Sequence, residues 1–115
     1  MELSDEMLTE ISYVQISKYR EKVMKSLDGD VKIPTAIAND SGIRTNHISK
    51  VLSELKAHEL VECINPEVRK GRLYRLTKKG EDIVKNLNDF LKETGRNFLD
   101  FVTYPNNGRV DTNDN

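Results

Sequence analysis

The chain has 115 residues, 37% hydrophobic and 32% charged, with a net charge of −1, one cysteine and no tryptophan. That length suffices for one domain that buries about two-thirds of its unfolded surface, and a lone cysteine excludes an internal disulfide framework. No apolar run approaches the ~20 residues of a membrane span, and the acidic opening Met1-Glu2-Leu3-Ser4-Asp5-Glu6 is unlike a secretory signal, so a cytoplasmic protein with no membrane partner is expected.

In chain order, Ser4 is placed to cap a first helix, with Asp5 and Glu6 at the positive end of its dipole. Leu3, Met7, Leu8, Ile11 and Val14 recur every three or four residues and give that helix an apolar face. A bend is expected near Ser12-Tyr13. From Ser17 the helical pattern resumes, with Ile16, Tyr19, Val23 and Leu27 on one side and Lys18, Lys22 and Lys25 on the other. Asp28-Gly29-Asp30 ends it.

A short helix then opens at Ile33-Pro34-Thr35-Ala36-Ile37-Ala38, since proline is accepted in a first turn. Gly42 stops it after about two turns. The next helix, about 44–58, is polar at its start and apolar along one side; Ile37, Ala38 and Ile43 should pack on its Ile48, Leu52 and Leu55. Two short stretches rich in strand formers follow, Val61-Glu62-Cys63-Ile64 and Leu73-Tyr74-Arg75-Leu76. Between them, residues 65–72 form a turn with a charged tip, Arg69-Lys70-Gly71-Arg72. Lys78-Lys79-Gly80 reads as a break. Beyond it Ile83, Val84, Leu87, Phe90, Leu91, Phe98, Leu99 and Val102 recur at helical spacing, and residues 105–115 read as a disordered tail.

The expected fold is therefore mainly α with a small β-hairpin wing (α+β). It is a winged helix-turn-helix over 17–80 with helical extensions at 1–16 and 81–104. Charge follows the same division. Residues 44–80 hold nine Lys/Arg against four Asp/Glu, whereas 1–43 hold five against eight and 81–115 hold four against seven. The basic block coincides with the second helix of the pair and the hairpin, where duplex phosphate would be met.

The blocks Ser17-Lys18-Tyr19-Arg20, Ile33 to Ala38 and Ile48 to Leu55 resemble archaeal winged helix-turn-helix transcriptional regulators of the broad group related to ArsR and MarR. So do Leu60 to Pro66 and Lys70 to Gly80, and the likeness covers roughly residues 16 to 90. It implies a fold that dimerises and binds operator DNA, with the Leu73 to Gly80 passage its most distinctive element. Metal-sensing members of the group carry clustered Cys or acidic and His ligands. This chain has only Cys63, with His47 and His58 far apart, so neither a metal nor another cofactor is expected.

The residues expected to read double-stranded DNA are Arg44, Thr45, Asn46, His47, Ser49 and Lys50, near the start of a helix that fits the major groove. Asn46 suits adenine, and Arg44 and Lys50 suit guanine or phosphate; the bland alternative makes Thr45 a helix cap and Lys50 a solvated lysine. Arg69, Lys70 and Arg72 are placed to meet backbone or minor groove, or else keep a hairpin tip soluble. Arg75 either joins them or pairs with Glu62 across the hairpin. Lys78 and Lys79 either touch phosphate or decorate a turn. Leu3, Met7, Leu8 and Ile11 at one end, with Leu87, Phe90, Leu91 and Phe98 at the other, are more apolar surface than one small domain needs, which points to a homodimer.

Three functions fit. The first is a sequence-specific DNA-binding transcriptional regulator. The second is a winged-helix docking module whose basic face binds an acidic protein partner, such as one in transcription. The third is end- or structure-directed nucleic-acid binding led by the wing. An enzyme is not expected, because there is no phosphate-cradling glycine loop, no ligand cluster and no nucleophile with a base nearby in sequence.

Overall fold

In the computed structural model, which describes residues 4–94, five helices and a hairpin follow one another: α1 (Asp5–Ile16), α2 (Lys18–Ser26), α3 (Pro34–Ser41), α4 (Thr45–Ala57), β1 (Val61–Cys63), β2 (Tyr74–Leu76) and α5 (Lys78–Thr94). Leu3, Phe98 and the segment 105–115 lie outside the described residues. The winged helix-turn-helix expected from the pattern is the fold observed.

Two serines set the first helices. The Ser4 hydroxyl accepts from the Met7 N–H at 3.1 Å. Ser17 adopts an extended conformation that ends α1, and its hydroxyl accepts from the Arg20 N–H at 3.3 Å to cap α2. The chain therefore bends at Ser17, not at Ser12-Tyr13, which lie inside an unbroken α1. This shift redirects side chains. Ile16 is 70% exposed and Tyr19 43% exposed, so neither belongs to the apolar face expected for them, and Met24 joins Val23 and Leu27 in the core instead.

Pro34 sits in the first turn of α3, and Gly42 closes that helix at φ 76°, a left-handed conformation that L side chains rarely adopt. The reversal packs Ile37, Ala38 and Ile43 with Ile48, Val51, Leu52 and Leu55 of α4, and all seven are buried.

β1 and β2 pair antiparallel, Val61 with Leu76, Glu62 with Arg75 and Cys63 with Tyr74. A third extended segment was not anticipated. Lys32 exchanges backbone bonds with Tyr74, at 3.0 and 2.9 Å, and so widens the hairpin on its β2 side. The Lys32 ammonium donates to the Ser26 carbonyl at 2.6 Å and to Asp40 at 2.7 Å, which ties this segment to α2 and α3. The hydrogen bond from Lys32, aided by Ser26, holds the Asp40 carboxyl below the usual carboxylate range. Cys63 is half-buried, with its thiol 3.6 Å from the Asn65 side-chain oxygen.

Lys78-Lys79-Gly80 is the first turn of α5 and not a break. Thr77 starts that helix: its hydroxyl donates to the Glu59 carbonyl at 2.7 Å and accepts from the Gly80 N–H at 3.0 Å. Gly80 is required for contact, since a Cβ there would collide with the Leu60 carbonyl. Ile83, Val84 and Leu87 of α5 and Ile11 and Val14 of α1 all lie in one core with α2 and α4. Two residues expected at a dimer contact, Ile11 and Leu87, are thus covered within the single chain, at 1% and 4% exposure. They face inward because α1 and α5 complete this core and are not appendages to it. The apolar surface left on the two helices belongs to Met7, Leu8 and Phe90, partly buried at the core edge, and to Leu91, 42% exposed.

Two outcomes follow. Helix propensity alone makes Gly80→Ala stabilising by about 1 kcal/mol, but overpacking against Leu60 should make it destabilising by roughly 1–3 kcal/mol. Urea unfolding decides the sign, and a raised midpoint would rule out the close approach. Because the Asp40 pKa is depressed, its contribution to stability is present above the ordinary carboxylate pKa and lost as pH falls through the depressed value. An NMR titration of Asp40 should show a low midpoint that moves up toward the ordinary range in Lys32→Met.

Candidate nucleic-acid interface

The seating of α4 determines which of its side chains face out. With Ile48, Val51, Leu52 and Leu55 buried, Arg44, Thr45, Asn46, His47, Ser49, Lys50, Ser53 and Lys56 are exposed. Arg44 is the N-cap residue, and no side chain caps the helix; Thr45 is its first helical residue, so the alternative that made its hydroxyl a helix cap is not what is found. His47 is turned toward α2, its ring 5.4 Å from that of Tyr19. Tyr19 thereby borders the start of α4, which the sequence reading missed by assigning it to the core.

A polar network behind α4 fixes its tilt. Arg20 on α2 donates to Glu54 of α4 at 3.2 Å and to the Tyr13 carbonyl of α1 at 2.9 Å. Its guanidinium lies 3.9 Å from the centre of the Tyr13 ring, in cation–π geometry. The other side of that aromatic unit meets His58, with ring centres 3.6 Å apart and planes 13° from parallel. His58, at the C-cap of α4, has Nδ1 3.1 Å from Glu10. Lys79 of α5 donates to the His58 carbonyl at 3.3 Å and lies 3.5 Å from Glu10. Three helices, α1, α2 and α5, thus converge on the C-terminal end of α4. No sequence spacing indicates it, as Arg20 and Glu54 are 34 residues apart and Glu10 and His58 are 48.

The wing is organised by Asn65. Its side-chain oxygen accepts the Leu73 N–H at 2.7 Å and its amide donates to the Gly71 carbonyl at 3.1 Å, so the turn closes on itself. Gly71 has φ 75°. Arg69 and Lys70 are exposed at the tip. Arg72 folds back, its Nε donating to the Val68 carbonyl at 2.6 Å, and borders a groove shared with α4. Helix and wing therefore present one continuous surface.

Ion pairing separates two populations of cations. Arg44, Lys50, Lys56, Arg69 and Lys70 have no acidic partner within 4.0 Å among the described residues. Arg75, by contrast, bonds Glu62 at 2.7 Å, the cross-strand pairing that was the alternative to DNA contact for it. Lys78 is paired with Asp82 at 3.0 Å, a hydrogen bond that raises its pKa, and Lys79 is engaged with Glu10. Arg75, Lys78 and Lys79, which looked available in sequence, are thus used within the fold. Among the described residues no group of three or more His, Cys, Asp or Glu side chains could hold a metal, and no helix is long and apolar enough to cross a membrane.

Comparison with known proteins agrees with this architecture. A family model described as winged helix-turn-helix matches residues 20–95. No curated protein matches the chain. Among solved structures, a mutant of ZitR from Lactococcus lactis is 20% identical with a TM-score of 0.56, covering 67% of this chain and 53% of that one, so the chain spans about half the length of that relative. A MarR family transcriptional regulator from Silicibacter pomeroyi has a TM-score of 0.58 at 16% identity, covering 77% of this chain and 67% of that one. A homodimeric winged helix-turn-helix DNA-binding domain from Mycobacterium bovis has a TM-score of 0.54 at 19% identity, covering 94% and 97%. At these identities the likeness is one of fold.

Asn65→Ala should release the wing. The Leu73 amide loses its acceptor and should exchange with solvent faster, while the Ile64 amide, bonded to the Leu73 carbonyl at 2.9 Å, changes less. Stability should fall by on the order of 1 kcal/mol per lost hydrogen bond. Unchanged exchange at Leu73 would mean that something other than Asn65 holds the turn.

Proposed function

The chain belongs to the winged helix-turn-helix family, and we propose that within it this protein is a sequence-specific double-stranded DNA-binding regulator of transcription. The observation that carries this reading is the coincidence, on one surface, of the exposed start of α4 with the cations of α4 and the wing that lack acidic partners. A helix is the right width for the major groove, and its first residues meet base edges there. Thr45, Asn46, Ser49 and Lys50 are the candidates for base readout. Asn46 can bond adenine through both of its side-chain polar atoms, and Lys50 can reach guanine. Arg69 and Lys70 reach the backbone or the adjacent minor groove. Arg44 serves phosphate at the helix entrance. His47, held toward Tyr19, contributes at the edge of the footprint. Arg75 is left to its pair with Glu62.

In this reading two copies act together. A dimer joined through α1 and α5 would use Met7, Leu8, Phe90 and Leu91, which keep surface after the core is formed; Leu3 and Phe98 fall outside the described residues. Such a dimer would present two α4 helices to half-sites about one duplex turn apart. The Mycobacterium bovis domain similar to this chain is described as homodimeric, which supports the arrangement. One observation favours the docking-module reading instead. Val31, Ile33 and Ile64 are exposed apolar residues, and strand alternation puts them on the outward face of the sheet with Glu62 and Arg75.

Selection of bound duplexes from a random library, at near-physiological salt, tests the reading. An inverted repeat is expected; recovery of no motif would favour docking. On the selected site Asn46→Ala and Lys50→Ala should each cost roughly 1–3 kcal/mol and relax selectivity at one position. Arg69→Ala and Lys70→Ala should weaken every duplex alike and reduce the salt slope by about 0.9 each. Sedimentation should show a dimer that Leu91→Glu dissociates, and a wild-type monomer would end that part of the proposal.

A further inference from the structure

Between α4 and the wing runs a groove of about 250 Å³, several times the ~30 Å³ that one water occupies in the liquid. Ser49, Leu52, Ser53 and Lys56 line it from the helix, Arg72 and Tyr74 from the hairpin, and Pro34 from the start of α3. No carboxylate is among its lining residues. Its donors are also unspent. The hydroxyls of Ser49, Ser53 and Tyr74 and the ammonium of Lys56 have no side-chain hydrogen-bond or ion-pair partner among the described residues. Arg72 is oriented by the bond from its Nε to the Val68 carbonyl, which leaves the terminal guanidinium nitrogens as donors. A concave site of five donor side chains with no acid is built for an anion bearing several oxygen acceptors.

The duplex itself says which anion that is. Each sugar–phosphate strand is the wall between a major and a minor groove. A protein that lays α4 in the major groove and sends a wing toward the adjacent minor groove must straddle that wall. The channel between helix and wing is where the strand has to pass.

We propose that this channel is a phosphate seat, in which Lys56 and the hydroxyls of Ser49, Ser53 and Tyr74, with Arg72 on the wing side, hold one phosphodiester of the strand straddled by α4 and the wing. The assignment rests on the DNA-binding reading above and adds Ser53, Lys56 and Tyr74 to the footprint. It also moves Ser49 from base readout to the backbone, and narrows Arg72 from backbone or minor groove to the strand itself. A contact to phosphate carries no sequence information directly, but it sets the register and depth at which Asn46 and Lys50 meet the bases. Lys56 and Ser53 are therefore positioning residues for recognition.

The test uses the full chain and the duplex recovered by selection, with single phosphates replaced one at a time by neutral methylphosphonate. Wild-type protein should lose roughly tenfold in affinity at one phosphate per half-site, the scale of a charge-assisted contact. Lys56→Gln should lose a similar factor on the unmodified duplex, reduce the salt slope by about 0.9 per half-site, and lose little more when that same phosphate is neutralised. Ser53→Ala should couple to the same position without changing the salt slope. Both residues are exposed on a helix, so the thermal midpoints should stay near wild type. Losses that simply add at every position, or full affinity in Lys56→Gln, would overturn the seat while selective duplex binding left the functional reading intact. Absence of selective duplex binding would overturn both. Displacement of the duplex by inorganic phosphate at matched ionic strength would show that the groove takes a free anion, and would overturn the assignment to the strand.

Discussion

Four apolar side chains of α4, Ile48, Val51, Leu52 and Leu55, are seated in the core, and the interface depends on that seating. With one side of a helix committed to burial, its period of 3.6 residues leaves Thr45, Asn46, Ser49, Lys50, Ser53 and Lys56 on the opposite side. Burial also holds the helix against α3 through Ile37 and Ala38, while Gly42 sets the angle at which the two meet. A helix presented to a duplex must be held rigidly, because hydrogen bonds to base edges tolerate little rotation. The stack of Arg20, Tyr13 and His58, closed at its ends by Glu54, Glu10 and Lys79, provides that hold from α1, α2 and α5. A substitution in this network would reach recognition without touching DNA.

The charges follow a related logic. A chain with net charge −1 approaches a polyanion favourably only if its cations are spatially sorted. Pairing does part of this sorting, although Lys18 and Lys22 of α2 also stay exposed and outside any ion pair among the described residues. Arg20, Lys32, Arg75, Lys78 and Lys79 are engaged by carboxylates, and those of α4 and the wing tip are left for solvent or phosphate. Exposed pairs of this kind add little to stability. Their consequence is that Arg75, Lys78 and Lys79 do not add free charge beside the cations of α4 and the wing tip.

Much of the fold was legible because its signals are local. Ser4, Pro34 and Gly42 act through the backbone within a turn or two of themselves, and the apolar period of α4 survives in any environment that buries one face. The misreadings came where a residue's role depends on a distant partner. Gly80 looks like a breaker in sequence, yet it lies in the first turn of α5 and is glycine because the Leu60 carbonyl leaves no room for a Cβ. Ile16 and Tyr19 continue an apolar period on paper, but the extended backbone at Ser17 turns them outward. Val31 to Ile33 is too short to register as a strand, and forms one contact with the hairpin only because Tyr74 is there to meet Lys32.

The candidate site divides in the same way. The sequence by itself determined the helix-turn-helix, the existence of a basic hairpin and the polar start of α4, since each is written in residue type and spacing over fewer than about 20 positions. Only the tertiary structure decided which cations are free and which are paired, because an ion pair depends on distance in space and not along the chain. It also decided that Ile11 and Leu87 belong to the core, and that helix and wing enclose a groove of unpartnered donors. These last properties arise from the packing of elements against one another, where side chains far apart in sequence compete for the same partners.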